Sequence, residues 1–185
     1  MKKTILAISI CAALGCILLS GCSKAKDAKV QGGRNVTSEE VRQTSADEWF
    51  DRIGEKEDAQ GYAPNTSLNA LIQKAKESDA AKDDIIRRAG EIIDDPKENP
   101  YRRWQSCYVL SAIGDKRGIA AITRALTNEN SVVRGVAACA LGTFDDSDAR
   151  YALTEAAKTE RDSDVQAWIR KALAGQFLPK KVNAQ

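Results

Sequence analysis

The feature that most constrains the fold is a self-similar pattern of apolar and small side chains in the second half of the chain. A shift of 28 residues places one set of four positions on a second set, and a further shift of 32 reaches a third. The superposed sets are Tyr108, Val109, Ala112 and Ile113; Val136, Ala137, Ala140 and Leu141; and Trp168, Ile169, Ala172 and Leu173. Positions i, i+1, i+4 and i+5 share one face of an α-helix, and the alanine column lets neighbouring helices approach closely. The pattern therefore predicts helices that repeat and stack.

Between these helices lie shorter apolar segments that also match one another. The matching residues are Ile122, Ala125 and Leu126 in one segment and Leu153, Ala156 and Ala157 in the next. Because one helix pair cannot bury its apolar face alone, about three pairs must stack. We expect pairs near residues 67–93, 101–127 and 132–158, with a closing helix near 163–175. The alternative is a helical bundle whose periodicity is accidental.

The segment from Ala112 to Gly142 resembles the HEAT-like repeats found in phycobilisome lyases. The residues that carry the resemblance are the Gly114-Asp115 turn, Ala125-Leu126, the turn at Asn128-Glu129-Asn130, Val133-Arg134 and the alanine-rich first helix at 135–142. The match is good over residues 101–175 and weak before them. The resemblance implies an all-α fold, a short α-solenoid of helical repeats, in which the second helix of each pair lines a concave face.

The predicted repeat domain covers residues 65–178, followed by a tail at 179–185. Before it, residues 45–64 predict a short helix and a loop, because Ser45 and Glu48 form a capping box. Residues 22–44 are polar, contain Gly32-Gly33 and predict a flexible linker. Two further helix starts are expected. Asn99 with Pro100 should open one, and Ser163 with Gln166 should form a capping box at the last helix.

The first 21 residues have the organisation of a secretory signal. Lys2 and Lys3 precede an apolar run from Ile5 to Leu19 that is too short to span a bilayer comfortably. The run ends at Leu19, Ser20, Gly21 and Cys22, which resemble a bacterial lipobox. The resemblance implies cleavage after residue 21 and a mature chain that begins at an acylated (palmitate-bearing) Cys22. The alternative is an ordinary signal peptide that carries a chance cysteine.

The charge of the chain argues against a nucleic-acid partner. The full sequence has 28 basic and 26 acidic side chains, and removal of Lys2 and Lys3 with the signal leaves equal numbers. A balanced chain lacks the basic footprint of nucleic-acid binding. The chain contains no histidine, so we expect no catalytic residues, no metal site and no cofactor. We also expect no small-molecule substrate.

Two local features leave alternatives open. The acidic run at 145–148 is expected to start a helix, with calcium binding as the alternative. Cys107 and Cys139 are expected to be semi-buried thiols, with a disulfide as the alternative. The repeat register offsets them by one helical turn, which makes a bridge difficult.

Two groups of residues are candidates for binding a partner protein. The first is the aromatic and basic cluster of Tyr101, Arg102, Arg103 and Trp104, since these residue types are enriched in binding hot spots. The second comprises the charged residues of the second helices, which are Arg87, Arg88, Arg124, Arg150 and Glu155. The alternatives are an ordinary helix start for the first group and a solvated charged surface for the second.

Together these features predict a membrane-anchored lipoprotein whose HEAT-like solenoid serves as an interaction scaffold or assembly factor for proteins of the cell envelope. Ser23 is not aspartate, and by resemblance to the sorting rule of enteric bacteria this implies the outer membrane, facing the periplasm. Two alternatives remain. One is a structural envelope lipoprotein without a discrete partner, and the other is a lyase-like accessory enzyme, since the resembled repeats occur in proteins that attach or remove bilins.

Overall fold

The computed structural model describes residues 36–53 and 64–179 of the chain. These residues form nine α-helices and one short 3-10 helix, and they contain no strand. The helices are α1 (Ser38–Gln43), α2 (Ala46–Asp51), α3 (Pro64–Lys74), α4 (Asp79–Asp94), α5 (Pro100–Ile113), α6 (Ile119–Ala125), α7 (Ser131–Leu141), α8 (Ser147–Thr159) and α9 (Ser163–Leu173), with the 3-10 helix at Lys116–Gly118 before α6. The predicted all-α class is confirmed.

The helices from α3 onward stack in two layers. The first helices of the pairs, α3, α5, α7 and α9, pack one on the next, and the second helices, α4, α6 and α8, form the other layer. The architecture is a short α-solenoid of stacked helix pairs, as the periodicity predicts. The signal and lipobox at 1–22 and the end of the tail at 180–185 lie outside the described residues.

The helices of the first-helix layer pack closely on one another. Val109, Leu141 and Ile169 are each at most 1% exposed, and Ala140 and Ala172 are buried beside them. A methyl group added to Gly142 would stand 2.8 Å from the Cβ of Ala172. Neighbouring helices can approach this closely because the residues between them are small.

A single sequence shift does not superpose the whole of α5 on α7. The N-caps Asn99 and Asn130 are 31 residues apart, whereas the C-caps Gly114 and Gly142 are 28 apart. The reason is that α5 has 14 residues and α7 has 11. The predicted alanine column therefore matches only the carboxyl ends of the two helices, and Ala112 is half-buried where Ala140 is buried.

Two short helices cover the N-terminal end of the solenoid. Trp49, Phe50 and Ile53 of this cap are buried, and the Ser45–Glu48 capping box is present as predicted. The linker predicted over 22–44 overlaps α1, which has its own capping box between Thr37 and Glu40. That prediction needs correction at its carboxyl end, because Val41 of α1 is buried and α1 packs on α3.

The helix starts agree with the sequence at Asn99 and differ at the last helix. Asn99 caps α5, with Pro100 as the first helical residue. At α9 the cap is Asp162, whose carboxylate accepts from the amides of Asp164 and Val165. The prediction that Ser163 is the N-cap is therefore wrong by one residue, because the Asp162 carboxylate accepts the hydrogen bonds that an N-cap side chain accepts.

Candidate functional site

A repeated side-chain contact holds the loops between the helix pairs. The residue four positions after the N-cap of α5, α7 and α9 donates to a carbonyl of the preceding loop. Arg103 donates to Asp95 O, Arg134 to Asn128 O at 2.8 Å, and Gln166 to Glu160 O at 2.8 Å. Each contact ties the loop between two helix pairs to the first turns of the helix that follows it.

The predicted cluster at the start of α5 is divided between internal and surface roles. Arg103 is buried, at 7% exposure, and its guanidinium is used in the loop contact. Arg102 binds Phe50 O at 3.1 Å and pairs with Glu98 at 3.1 Å, so it fastens α5 to the N-terminal cap. Tyr101 and Trp104 are half-buried and meet edge to face, with ring centroids 4.9 Å apart.

The second-helix layer carries an elongated groove between α6 and α8, with a volume of about 1160 Å³. The two helices run parallel. Lys116 before α6 pairs with Asp146 before α8 at 2.8 Å, and the residues after both helices line the opposite end of the groove. The groove wall is mainly apolar, with Thr123, Glu155 and Thr159 as polar members. Its apolar residues include Ile119, Ala120 and Leu126 from the α6 side and Tyr151, Ala152 and Ala156 from α8. We name this feature the α6–α8 groove.

Tyr151 is the residue in the groove that sequence reasoning missed. Its side chain is 68% exposed, and among the described residues it is the only exposed large apolar side chain. Its neighbours Ala149, Ala152 and Leu153 are buried, so Tyr151 is an aromatic residue outside the buried face of its helix. An exposed tyrosine in a concave site is typical of a binding hot spot.

A second groove of about 570 Å³ lies between α4 and α6 and shares Arg117 and Ala120 with the first. Of the predicted second-helix residues, Arg87 and Arg124 line this second groove and Glu155 lines the α6–α8 groove. The remaining two are used in packing between helices. Arg88 pairs with Asp47 of the cap at 3.0 Å, and Arg150 donates to Leu173 O at 3.2 Å.

Ion pairs connect neighbouring second helices across both grooves. Arg124 forms a two-point contact with Asp94 at 2.8 and 2.7 Å. Arg117 bridges Asp115 at 2.7 Å and Asp83 at 2.6 Å, and its hydrogen bonds lower the pKa of Asp115 to about 2. Together with the Lys116–Asp146 pair, these contacts link the neighbouring second helices, and they involve two of the five arginines that line the grooves, Arg117 and Arg124.

The acidic run and the cysteines also have defined places. Asp146 caps α8, as one of the sequence interpretations expects. In residues 36–53 and 64–179, no group of three or more acidic, cysteine or histidine side chains is placed to hold a metal ion. Cys107 and Cys139 are both buried, and no disulfide joins them. Among the described helices, none has the length and apolar character needed to cross a membrane.

The comparisons with known proteins agree with this geometry. A family model described as HEAT repeats matches residues 86–174. HEAT-like repeats form this part of the chain. The match begins in α4, so the part of the chain before it, including α3 and the N-terminal cap, lies outside the matched residues. No curated protein matches the chain. HEAT repeats generally act as scaffolds for protein interaction, since stacked repeats present extended rigid surfaces.

Proposed function

We propose that the protein is a membrane-anchored lipoprotein whose HEAT repeats dock another protein of the cell envelope, as a scaffold or assembly factor. The observation that carries the docking role is the α6–α8 groove with the exposed Tyr151 on its wall. A concave surface between rigid helices, lined by small apolar residues and one exposed aromatic ring, supplies the shape and the anchor of a protein-binding site. The proposal assigns the chain no catalytic activity, no cofactor and no nucleic-acid partner.

The docking role is tested by site-specific photocrosslinking in living cells. A photoreactive phenylalanine is introduced at position 151, and the matched control carries it at position 170, which is exposed on α9 and does not line the groove. We expect a discrete crosslinked protein from position 151 and none from position 170. Crosslinks to bulk peptidoglycan alone, or equal products from both positions, would contradict the scaffold and favour a structural envelope lipoprotein.

The anchor is proposed from the sequence at Leu19, Ser20, Gly21 and Cys22. Labelled palmitate should be incorporated into the wild-type protein and lost in Cys22→Ala. Cys16→Ala is the matched control, because it removes a cysteine from the signal without touching the lipobox. A Cys22→Ala protein that stays on the membrane after secretion would show that the lipid is not the anchor.

The proposed location is the outer membrane, facing the periplasm. In an enteric host, Ser23→Asp should move the protein to the inner-membrane fraction of a density gradient, whereas Ser23→Thr should leave it in the outer-membrane fraction. An unchanged distribution for Ser23→Asp would refute the assignment that rests on Ser23.

A further inference from the structure

The α6–α8 groove has two chemically different ends. The N-terminal ends of α6 and α8 line one end, with Lys116 and Asp148, and their carboxyl ends line the other, with Asn128 and Arg161. Asp148 and Arg161 are 13 positions apart along the chain, and most of the intervening residues belong to α8. At 1.5 Å per residue these two side chains start roughly 20 Å apart along the groove.

The first end carries one carboxylate that is not in an ion pair with any described residue. Its charged lining residues are Lys116, Arg117, Asp146 and Asp148, of which Lys116 pairs with Asp146, and Arg117 pairs with Asp83 and Asp115 outside the groove. Asp148 is exposed, and it has no ion pair within 4 Å in the part of the chain that the structure describes. A cationic group of a ligand therefore meets an available carboxylate at this end.

The second end carries a basic excess. Arg134 is held by Glu160 in a two-point contact at 2.7 and 3.0 Å, whereas the exposed Arg161 has no ion pair within residues 36–53 and 64–179. Between the two ends, Glu155 is neutralised by Lys158 at 2.6 Å. The groove thus presents one acidic and one basic side chain without an ion pair among the described residues, separated by a mainly apolar wall.

The wall suits a helix. Ala120, Ala152 and Ala156 are small, so a third helix can approach the two that form the groove, and Tyr151 supplies a large apolar contact. Natural helices favour acidic side chains in their first turn and basic side chains in their last turn. Only a helix that runs antiparallel to α8 brings such an acidic turn to Arg161 and such a basic turn to Asp148.

We propose that the α6–α8 groove binds an amphipathic helix of about 13 residues from a partner protein, antiparallel to α8, with its acidic first turn at Arg161 and its basic last turn at Asp148. This inference rests on the proposed docking role of the same groove. It adds the conformation, the direction and the charge pattern of the bound segment.

The test is selection of a displayed library of 14-residue helical peptides on the full-length protein in detergent micelles. The library has a fixed leucine seam and randomised acidic or basic residues in the first and last turns. Two exposed ion pairs should enrich peptides with an acidic first turn and a basic last turn roughly threefold to tenfold over the reversed pattern. Equal recovery of both patterns, or preference for the reversed one, would overturn the proposal.

Exchange of the two charges gives the second arm. The double variant Asp148→Lys with Arg161→Glu should invert the preferred peptide pattern. The matched control is Asp164→Lys with Arg170→Glu, because Asp164 is the second residue of α9 as Asp148 is of α8, and Arg170 is exposed. The control should keep the wild-type preference, and a charge-exchanged variant that keeps it as well would refute the assigned direction.

The two proposals fail separately. Crosslinking at position 151 to a discrete protein, combined with no peptide polarity, leaves the docking role in place and removes the antiparallel helix. The antiparallel helix is also refuted if the crosslinked product is a second copy of this chain that binds without a helix of the stated charge pattern. Loss of position-specific crosslinking removes the docking role itself.

Discussion

The contact between Arg134 and Glu160 should be the most important ion pair for the stability of the described domain. The guanidinium of Arg134 on α7 binds both carboxylate oxygens of Glu160 and also donates to Asn128 O at 2.8 Å and Glu129 O at 3.0 Å. One side chain therefore joins the loop before α7 to the loop after α8. The test substitution is Arg134→Met, which keeps the aliphatic stem and removes every donor.

The expected loss follows from burial. The side chains of Arg134 and Glu160 are only 18% and 7% exposed. Removing one partner of a buried pair costs about 3–5 kcal/mol, because the remaining charge stays desolvated. Since the Glu160 carboxylate keeps the hydrogen bonds donated by the amides of Arg161 and Asp162 at 2.9 and 2.8 Å, we expect the lower end, about 3 kcal/mol of unfolding free energy.

The matched control is Arg124→Met. Arg124 binds Asp94 with the same two-point geometry, but the two side chains are 53% and 45% exposed. An exposed pair contributes only about 0–1 kcal/mol. In urea unfolding followed by circular dichroism, with a slope of about 2 kcal/mol per molar, Arg134→Met should lower the midpoint by roughly 1.5 M and Arg124→Met by less than about 0.5 M. Equal shifts would refute the argument from burial.

The same pair should make stability depend on acidic pH. Hydrogen bonds from Arg134 lower the pKa of Glu160 below its ordinary value of 4.5. Because the pKa of Glu160 is lower in the folded than in the unfolded protein, its ionisation stabilises the fold at pH values above the unfolded-state pKa. This stabilisation is lost as the pH falls through the folded-state pKa. The difference in midpoint between wild type and Arg134→Met should be full at pH 7 and shrink below about pH 4.5. A difference that stays constant down to pH 3 would contradict an ionic contribution.

Three further substitutions and modifications test packing. Gly142→Ala should lower stability by about 1–3 kcal/mol, because the new methyl would stand 2.8 Å from Ala172 and 2.9 Å from Phe177. Gly90→Ala, inside α4 with its nearest neighbour at an ordinary 3.7 Å, should raise stability by about 0.5–1 kcal/mol. Urea unfolding measures both changes. If both substitutions changed the unfolding free energy in the same direction, the argument that Gly142 lacks room for a methyl group and Gly90 has it would be refuted. Burial raises the pKa of Cys107 to about 12, so iodoacetamide should label this thiol only after unfolding, as followed by peptide mass spectrometry. Rapid native labelling of Cys107 would contradict its burial.

Local features of the sequence were sufficient to predict the repeats. The apolar face at i, i+1, i+4 and i+5 and the Asn99–Pro100 start depend on residues within one helix, and the structure has the expected helices there. The linker prediction failed at α1 although Thr37 and Glu40 are a readable capping box. A six-residue helix is marginal by itself, and burial of Val41 against the rest of the domain stabilises it.

The partner-binding residues were harder to predict, because charge and aromaticity do not reveal which face of a helix is exposed. Arg102 and Arg103 form internal contacts, whereas Tyr151, on the exposed face of α8, lines the groove. In the sequence, each of these residues is a candidate for a binding surface. Whether its side chain is used in an internal contact or stays exposed depends on which other elements pack against its helix.

The sequence alone determined the helical class and the number of stacked pairs, because both depend on periodicity within helices, whereas the address at Cys22 stays a prediction from a short contiguous motif. Only the tertiary structure decided where the concave surface opens. The α6–α8 groove requires two parallel second helices that pack on the same first helix, and α6 and α8 both contact α7. Such contacts join residues of different elements, so no pattern within one helix encodes them.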